Sequence, residues 1–368
     1  MTRKRTQKKD TATATGGTPV LHADQQAHVL LATELKSEQK ECARLQRELE
    51  KAQEHQLSIE KLKQAIFGFT AAQPEIPRWT LDKIKADQLE AIGVPVLMLS
   101  DIHWAETVDP AQVNGVNSFT PAIARRRLQH LAKTTLLLLT RYISHNKYPG
   151  IVVPLLGDMM SGDIHEELKE TNWATSLQAL EELEGELIAF LTFLADGFGQ
   201  VYCPAVVGNH TRLTKKPRAK NAVYESLDWL LYQQLRKHFE AQKDGRVVVR
   251  AADALDDQFK VYGHTFQITH GDQFKGGGGI QGALSPWMIG DYRKRKRASA
   301  IGQEYDYLMM GHWHQLAHVK GLIVNGSVKG FDEYCMRANL EYQSPQQGLF
   351  VVHPDLGINY WMPIYLGE

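Results

Sequence analysis

The chain has little cysteine, no excess of either charge and no long apolar run, and each absence narrows what its 368 residues can do. Cys42, Cys203 and Cys335 stand alone, with no C-x-x-C pair among them, which excludes a disulfide framework and a thiolate zinc site. Buried or inert thiols are the expectation. Lys plus Arg number 42 and Asp plus Glu number 42, so the molecule as a whole exerts no long-range pull on nucleic acid or an acidic membrane. Any such pull must be local. Apolar stretches such as Val94 to Leu99 and Leu136 to Leu139 fall far short of the roughly 20 residues that cross a bilayer, and no transmembrane helix is expected. Met1 to Asp10 is basic but runs into Thr, Gly and Pro, unlike a secretory signal, and a cytoplasmic location is expected. With 43% hydrophobic and 23% charged residues, the chain has the composition of a folded protein with at least one large core.

Four regions follow from texture. Residues 1–22 read as a disordered basic tail and 71–93 as a linker. Between them, 23–70 is dense in Glu, Gln, Lys and Leu. Leu35, Cys42 and Leu49 recur every seventh residue, while Leu31, Leu45, Ala52, Ile59 and Ile66 fill the companion position. A coiled-coil-like helix is predicted, although Glu38, Gln56 and Lys63 interrupt its stripe. It would pair with a second copy, giving a homo-oligomer, or fold back on the rest; a solvated, unpartnered helix is the alternative. From Val94 to Glu368 short apolar runs alternate with amphipathic stretches. Val96 to Ser100, Ile151 to Leu156 and Val201 to Val207 read as buried strands, separated by helical periodicity over about Ile123 to Ser144, Glu166 to Leu194 and Ala219 to Phe239. Closely spaced strands are expected after Asp244, over Val247 to Ala251, Gln258 to Val261, Thr265 to Thr269, Tyr307 to Met310, His318 to Val324 and Gly348 to Val352, so the fold class is α/β.

Ligands of open α/β sheets gather beyond the carboxyl ends of strands. Five predicted strand ends carry polar clusters: Asp101-Ile102-His103, Gly157-Asp158, Gly208-Asn209-His210, His270, and Gly311-His312-Trp313-His314. A single such cluster is common, and a lone His after a strand is more often a capping residue than a ligand. Five together are Asp, Asn and neutral His, the donor set for hard to borderline divalent cations. In Asp-x-His and His-x-His, an extended backbone would place both side chains on one side.

This order of motifs, D-x-H, G-D, G-N-H, H, G-H-x-H, resembles the calcineurin-like metallophosphoesterase superfamily over about Val94 to Tyr365. The resemblance implies a four-layer α/β/β/α sandwich with the helical segment as an N-terminal extension. It implies one cation held by Asp101, His103 and His314, a second held by Asn209, His270 and His312, and Asp158 bridging both. Two such ions, about 3.5–4 Å apart, would supply hydroxide as the nucleophile and clamp the phosphate oxygens. Manganese suits oxygen and imidazole donors without thiolate, with Fe, Zn and Ni as alternatives. His210 has no place in either ligand set and is assigned as general acid, with Asp163 as the candidate to orient it; a hydrogen-bonded loop residue is the structural alternative.

Gly157-Asp158 continues as Met-Met-Ser-Gly-Asp and His210 is followed by Thr-Arg, departures that lower a phosphoprotein phosphatase reading. Two basic clusters, Arg212, Lys215, Lys216, Arg218 and Lys220 after His210 and the unbroken run Arg293, Lys294, Arg295, Lys296, Arg297, suggest a polyanionic substrate with Arg212, Lys215, Lys216, Arg293, Lys294 and Arg295 as its contacts. Solvated surface cations are the bland reading. Gly276 to Gly279 and the stretch to Pro286 read as an irregular loop. That loop, the basic run and the segment Asn325 to Tyr334 resemble metallophosphoesterases encoded by tailed phages and prophages, distantly like double-strand-break repair nucleases. The expected function is a two-metal DNA phosphodiesterase or nuclease, in a host cytoplasm if phage-encoded; a phosphatase or phosphodiesterase for a small nucleotide or other metabolite and a non-catalytic interaction protein are the alternatives.

Overall fold

A computed structural model describes residues 35–36, 38–47, 73–82, 93–143, 148–275 and 284–367. The chain divides into two compact units, Met1–Ala72 and Gln73–Glu368. In the first, the described residues are helical, and Leu35, Leu45 and Cys42 are exposed. Of the thiols expected to be buried or inert, Cys203 and Cys335 are buried and Cys42 is exposed; all three are free. The basic tail and the rest of the coiled-coil stretch lie outside the described residues, as do Gly276 to Gly279.

The second unit is a mixed α/β structure with two sheets. The first has six strands in the order β11-β10-β1-β2-β3-β4: β1 (Val94–Leu97), β2 (Ile151–Val152), β3 (Val201–Ala205), β4 (Val247–Ala251), β10 (Gln346–His353) and β11 (Gly357–Tyr365). The second has five in the order β5-β6-β7-β9-β8: β5 (Asp256–Val261), β6 (His264–Thr269), β7 (Tyr307–Met310), β8 (Ala317–Val319) and β9 (Leu322–Val324). Strands β1 to β4 are parallel neighbours, as are β6, β7 and β9. Their carboxyl ends therefore share an edge.

Alternation along the strands decides what each face covers. Val96, Met98, Tyr202, Phe266, Ile268, Met309 and Phe350 form one core between strands of both sheets. On β7 the neighbours Leu308 and Met310 turn the other way and pack with Trp287 and Ala298 of helix α4 (Leu284–Ala300). Helices α1 (Pro121–Leu137), α2 (Ser176–Phe198) and α3 (Leu227–Gln242) each bury one apolar stripe: α1 packs on α2, α2 on α3, and α3 on β4. The stretch expected as a linker is partly structural. Ile76 and Trp79 pack on the shared core, and Tyr262 N donates to the Thr80 carbonyl at 2.6 Å.

The predicted helix over Glu166 to Leu194 is two helices, Glu166–Thr171 and α2, because Thr175 caps α2 in a reciprocal box with Gln178. That box is legible as Thr-x-x-Gln. Residues 219–226 form turns, and the third predicted helix starts only at Leu227. Helix α4 begins at Leu284, ahead of Pro286, since proline is tolerated in a first turn whose N–H groups have no partner. Among the described residues no helix is long and apolar enough to cross a membrane.

Candidate metal centre

The five motifs meet at the shared strand edge, but not by the extended geometry expected of them. Asp101, His103 and Asp158 all have φ of 51°, and His312 and His314 have φ of 68° and 54°. All five occupy the left-handed region, at a cost of about 1–3 kcal/mol each. A strand's alternation therefore does not aim these five side chains; a left-handed turn at each of the five does. The strained backbone is tied down by hydrogen bonds. Asp101 N donates to Gly157 O, His103 N to Asp158 O, and His312 N to both Asp101 carboxylate oxygens, all between 3.0 and 3.1 Å.

Glycines make room for the carboxylates. A Cβ on Gly208 would lie 2.1 Å from Asp158 Oδ1, and one on Gly311 would lie 2.4 Å from Asp101 Oδ2. The Gly in G-N-H and in G-H-x-H is a packing requirement of the neighbouring motif.

The donors fall into two groups around the buried Asp158. In one, His103 Nε2 faces His314 Nε2 at 3.1 Å, and His314 Nε2 lies 3.4 Å from Asp101 Oδ1. In the other, His270 Nε2 lies 2.9 Å from Asp158 Oδ2 and 3.1 Å from Asn209 Oδ1, and His312 joins Asp158 and His270. The spacings fit cations. Donors about 2.1 Å from one ion and at right angles to each other stand about 3.0 Å apart, and tetrahedral donors about 3.4 Å. His270 Nδ1 is 2.7 Å from the Leu156 carbonyl, an acceptor only, so this nitrogen carries the hydrogen and Nε2 is the one turned to the site. Clustered Asp, Asn and His donors of this kind suit a divalent cation.

Electrostatics mark the same two places. Burial depresses the His270 and His314 imidazolium ions, but Asp158 beside His270 and Asp101 beside His314 outweigh it and raise both to about 10. Burial, with Lys329 and His210 nearby, lowers His103 to about 4, and burial, with His270 nearby, lowers His312 to about 3. The metal-free protein thus keeps one proton in each group of donors, where a cation would sit. Cation binding displaces both. At pH 8 loading should release about two protons per chain, seen as a buffer-dependent heat in calorimetry. Below about pH 10 each unit of acidification should weaken each ion's apparent affinity by up to about tenfold, and loading of the pair by up to about a hundredfold, because each ion competes with one proton. Loading without proton release would contradict this arrangement.

His210 is half-buried beside both groups. Its ring centroid is 4.5 Å from that of His103, its backbone N donates to Asp158 Oδ1 at 2.8 Å, and Nδ1 meets the Ser161 carbonyl at 2.9 Å. Ser161 O therefore orients the ring, in place of the exposed Asp163 expected to do so. The carbonyl was invisible in sequence because it is a backbone atom, brought in by Gly162, where a Cβ would lie 2.0 Å from His210 O. The structure thus brings Asp101, His103 and His314 together, and Asp158, His270 and His312 together, and it also sets His210 within reach of His103 and Asp158.

No family model matches the chain, and no curated relative does. Solved structures similar to it include a dimetal phosphatase from Danio rerio, 11% identical with a TM-score of 0.34, covering 75% of this chain and 100% of that one. Vacuolar Protein Sorting 29 from Cryptosporidium parvum is 12% identical with a TM-score of 0.31 and coverages of 75% and 100%. A predicted phosphoesterase from Streptococcus pneumoniae is 9% identical with a TM-score of 0.27 and coverages of 74% and 97%.

Sequence reasoning missed Asp228 and the Ser100, Asn325 and Gln347 group. Asp228 Oδ2 accepts from Asp158 N at 3.1 Å and Gly208 N at 2.9 Å, fixing two motif loops. Burial and the Asp158 charge raise its carboxyl to about 7. Ser100 Oγ donates to Asp101, and Asn325 Nδ2 donates to Ser100 Oγ at 2.9 Å and to Gln347 Oε1 at 2.8 Å. The short runs around Asp228 and Gln347 carry no motif, and Ser100 meets Asn325 and Gln347 across 225 and 247 positions.

The expected substrate contacts divide. Lys215, Lys216 and Arg293 are exposed. Arg212 is half-buried and holds the motif loop from below, donating to Asn209 O at 2.8 Å. Lys294 is buried and donates to Asp256 at 2.5 Å, while Arg295 donates to Asp291 at 2.9 Å and to the Tyr305 carbonyl at 3.0 Å. Lys294 fastens α4 to β5 and Arg295 ties the helix to the Tyr305 carbonyl just ahead of β7, because the helix turns that side of the run inward. Arg297 likewise pairs with Asp256.

Proposed function

We propose that the chain is a metal-dependent phosphodiester hydrolase with DNA as its substrate, built on the superfamily's four-layer α/β/β/α sandwich. The observation that carries the reading is the convergence of donors from five motifs, with the Nε2 side of His210 beside them. Asp101, His103 and His314 would hold one divalent cation; Asn209, His270 and His312 would hold the second; Asp158 would touch both. Manganese is the first choice for these donors. Bound there, two cations supply a nucleophile from water near neutral pH and offset charge on the phosphate. The chain's own part is geometric and protonic. Strained loops fix the donors, and Ser161 O aims His210 at the oxygen that leaves.

Polyanion binding is supported by Lys215 and Lys216 directly after the His210 motif and by Arg293 and Lys296 on the exposed side of α4. The phage and prophage resemblance favours DNA over RNA. Protein loaded with Mn²⁺ would be assayed on linear, circular and single-stranded DNA, on cyclic nucleotides and on bis-p-nitrophenyl phosphate. DNA cleavage should fall about a hundredfold between 50 and 200 mM salt if about four phosphates are neutralised. Replacing Lys215, Lys216, Arg293 and Lys296 by Gln should lower it further while sparing the small diester. Salt-insensitive turnover that favours a cyclic nucleotide would support the metabolite reading, and loaded protein without turnover on any substrate the interaction reading.

A further inference from the structure

Three residues beyond Asp101-Ile102-His103, outside the five motifs, stands Glu106, a buried carboxylate. Its Oε2 is 3.2 Å from His103 Nδ1, the nitrogen turned away from the metal donors. Its Oε1 accepts from Lys329 Nζ at 2.7 Å. Lys329 is itself only 2% exposed, and its ammonium also donates to Asp332. Two carboxylates thus enclose one ammonium with no solvent to soften the balance. The segment that carries Lys329 is clamped from outside. Arg127 Nη1 donates to the carbonyls of Val328 and Lys329 at 2.9 and 2.6 Å, and Asn117 Nδ2 to those of Lys329 and Phe331 at 3.0 and 2.7 Å.

A buried ammonium with two carboxylates is a poor way to gain stability, since well-packed apolar chains serve as well or better. Its placement has a use. Glu106 opposite Nδ1 favours the tautomer and ring angle that present Nε2 to a cation. A buried carboxylate this close to a cation would also compete as a ligand; the Lys329 ammonium holds its other oxygen and keeps it turned away.

We propose that Glu106 and Lys329 are positioning residues that set how tightly the Asp101, His103 and His314 half of the site holds its cation, leaving the Asn209, His270 and His312 half unaffected. This rests on the two-cation reading. The test is a titration of the full-length protein with Mn²⁺, followed by calorimetry and by elemental analysis of bound metal. Wild type should bind two ions per chain. Glu106→Gln and Lys329→Met should each weaken one binding step by about 10–100-fold and leave the other unchanged. Because Lys329→Met strands two buried carboxylates, Glu106→Gln/Lys329→Met/Asp332→Asn, which clears the whole buried charge cluster, is the decisive variant. Folded by circular dichroism, it should lose the same single step as Glu106→Gln. Two wild-type steps in that variant, or both steps weakened alike, would overturn the proposal. A wild-type protein binding fewer than two ions would instead refute the two-cation reading beneath it.

Discussion

Asp158→Ala should abolish the paired site, leaving at most one bound ion per chain and lowering turnover by on the order of 10³-fold or more, about 4 kcal/mol of barrier. On the proposed two-cation reading its carboxylate is the one group that would serve both halves, and it clusters with His103 and His210 on one side and with His270 and His312 on the other. Oδ2 lies 2.9 Å from His270 Nε2, and Oδ1 accepts from His210 N at 2.8 Å. Truncation removes a ligand from each half and frees the His210 backbone together. It also takes away the charge that keeps His270 protonated in the metal-free protein. The rise in Tm on adding Mn²⁺, which follows from binding to the folded chain alone, should shrink accordingly. Asp158→Asn is the companion variant. It retains an acceptor for His210 N but carries no charge, so it should hold the loop and still lose an ion. Two ions bound to Asp158→Ala would show that the carboxylate is not shared.

His210→Ala should keep both ions and lose turnover, and the loss should depend on the leaving group. Burial lowers the His210 imidazolium despite the Asp158 charge nearby. At neutral pH the ring is therefore mainly neutral, with its hydrogen on Nδ1 toward Ser161 O, and only the protonated minority can donate from Nε2. A deoxyribose oxygen needs that proton; p-nitrophenolate leaves without it. The variant should cost about 10²–10⁴-fold on DNA and little on bis-p-nitrophenyl phosphate. In wild type, activity on DNA should fall as pH rises through the depressed pKa, until ion loading at lower pH becomes limiting. Equal losses on both substrates would assign the His210 ring to shaping the site or contacting the phosphate, and not to proton donation.

How far a residue was legible depended on whether its contribution is local. The donors were readable because each follows a buried strand and belongs to a short run of distinctive residue types. Strands β1, β3, β6 and β7 announced themselves by apolar runs, whereas β8 and β9, three residues each, merged into one expected strand because the Lys320-Gly321 turn between them gave a weak signal. The basic run was legible as charge but not as geometry. Helical rotation sends Lys294 inward to Asp256 and leaves Arg293 outside, a difference of one position.

The sequence by itself determined the chemistry: which side chains are donors, in what order, and at which strand ends, since these follow from residue type and apolar periodicity along the chain. Tertiary structure alone decided their aim. It set the left-handed turns that point the donors, the Ser161 carbonyl that orients His210, and the buried Glu106 and Lys329 behind His103. Those depend on backbone angles and, for the His210 ring and the Glu106 carboxylate, on partners 49 and 223 positions away, and such contacts exist only once the two sheets close on a common core.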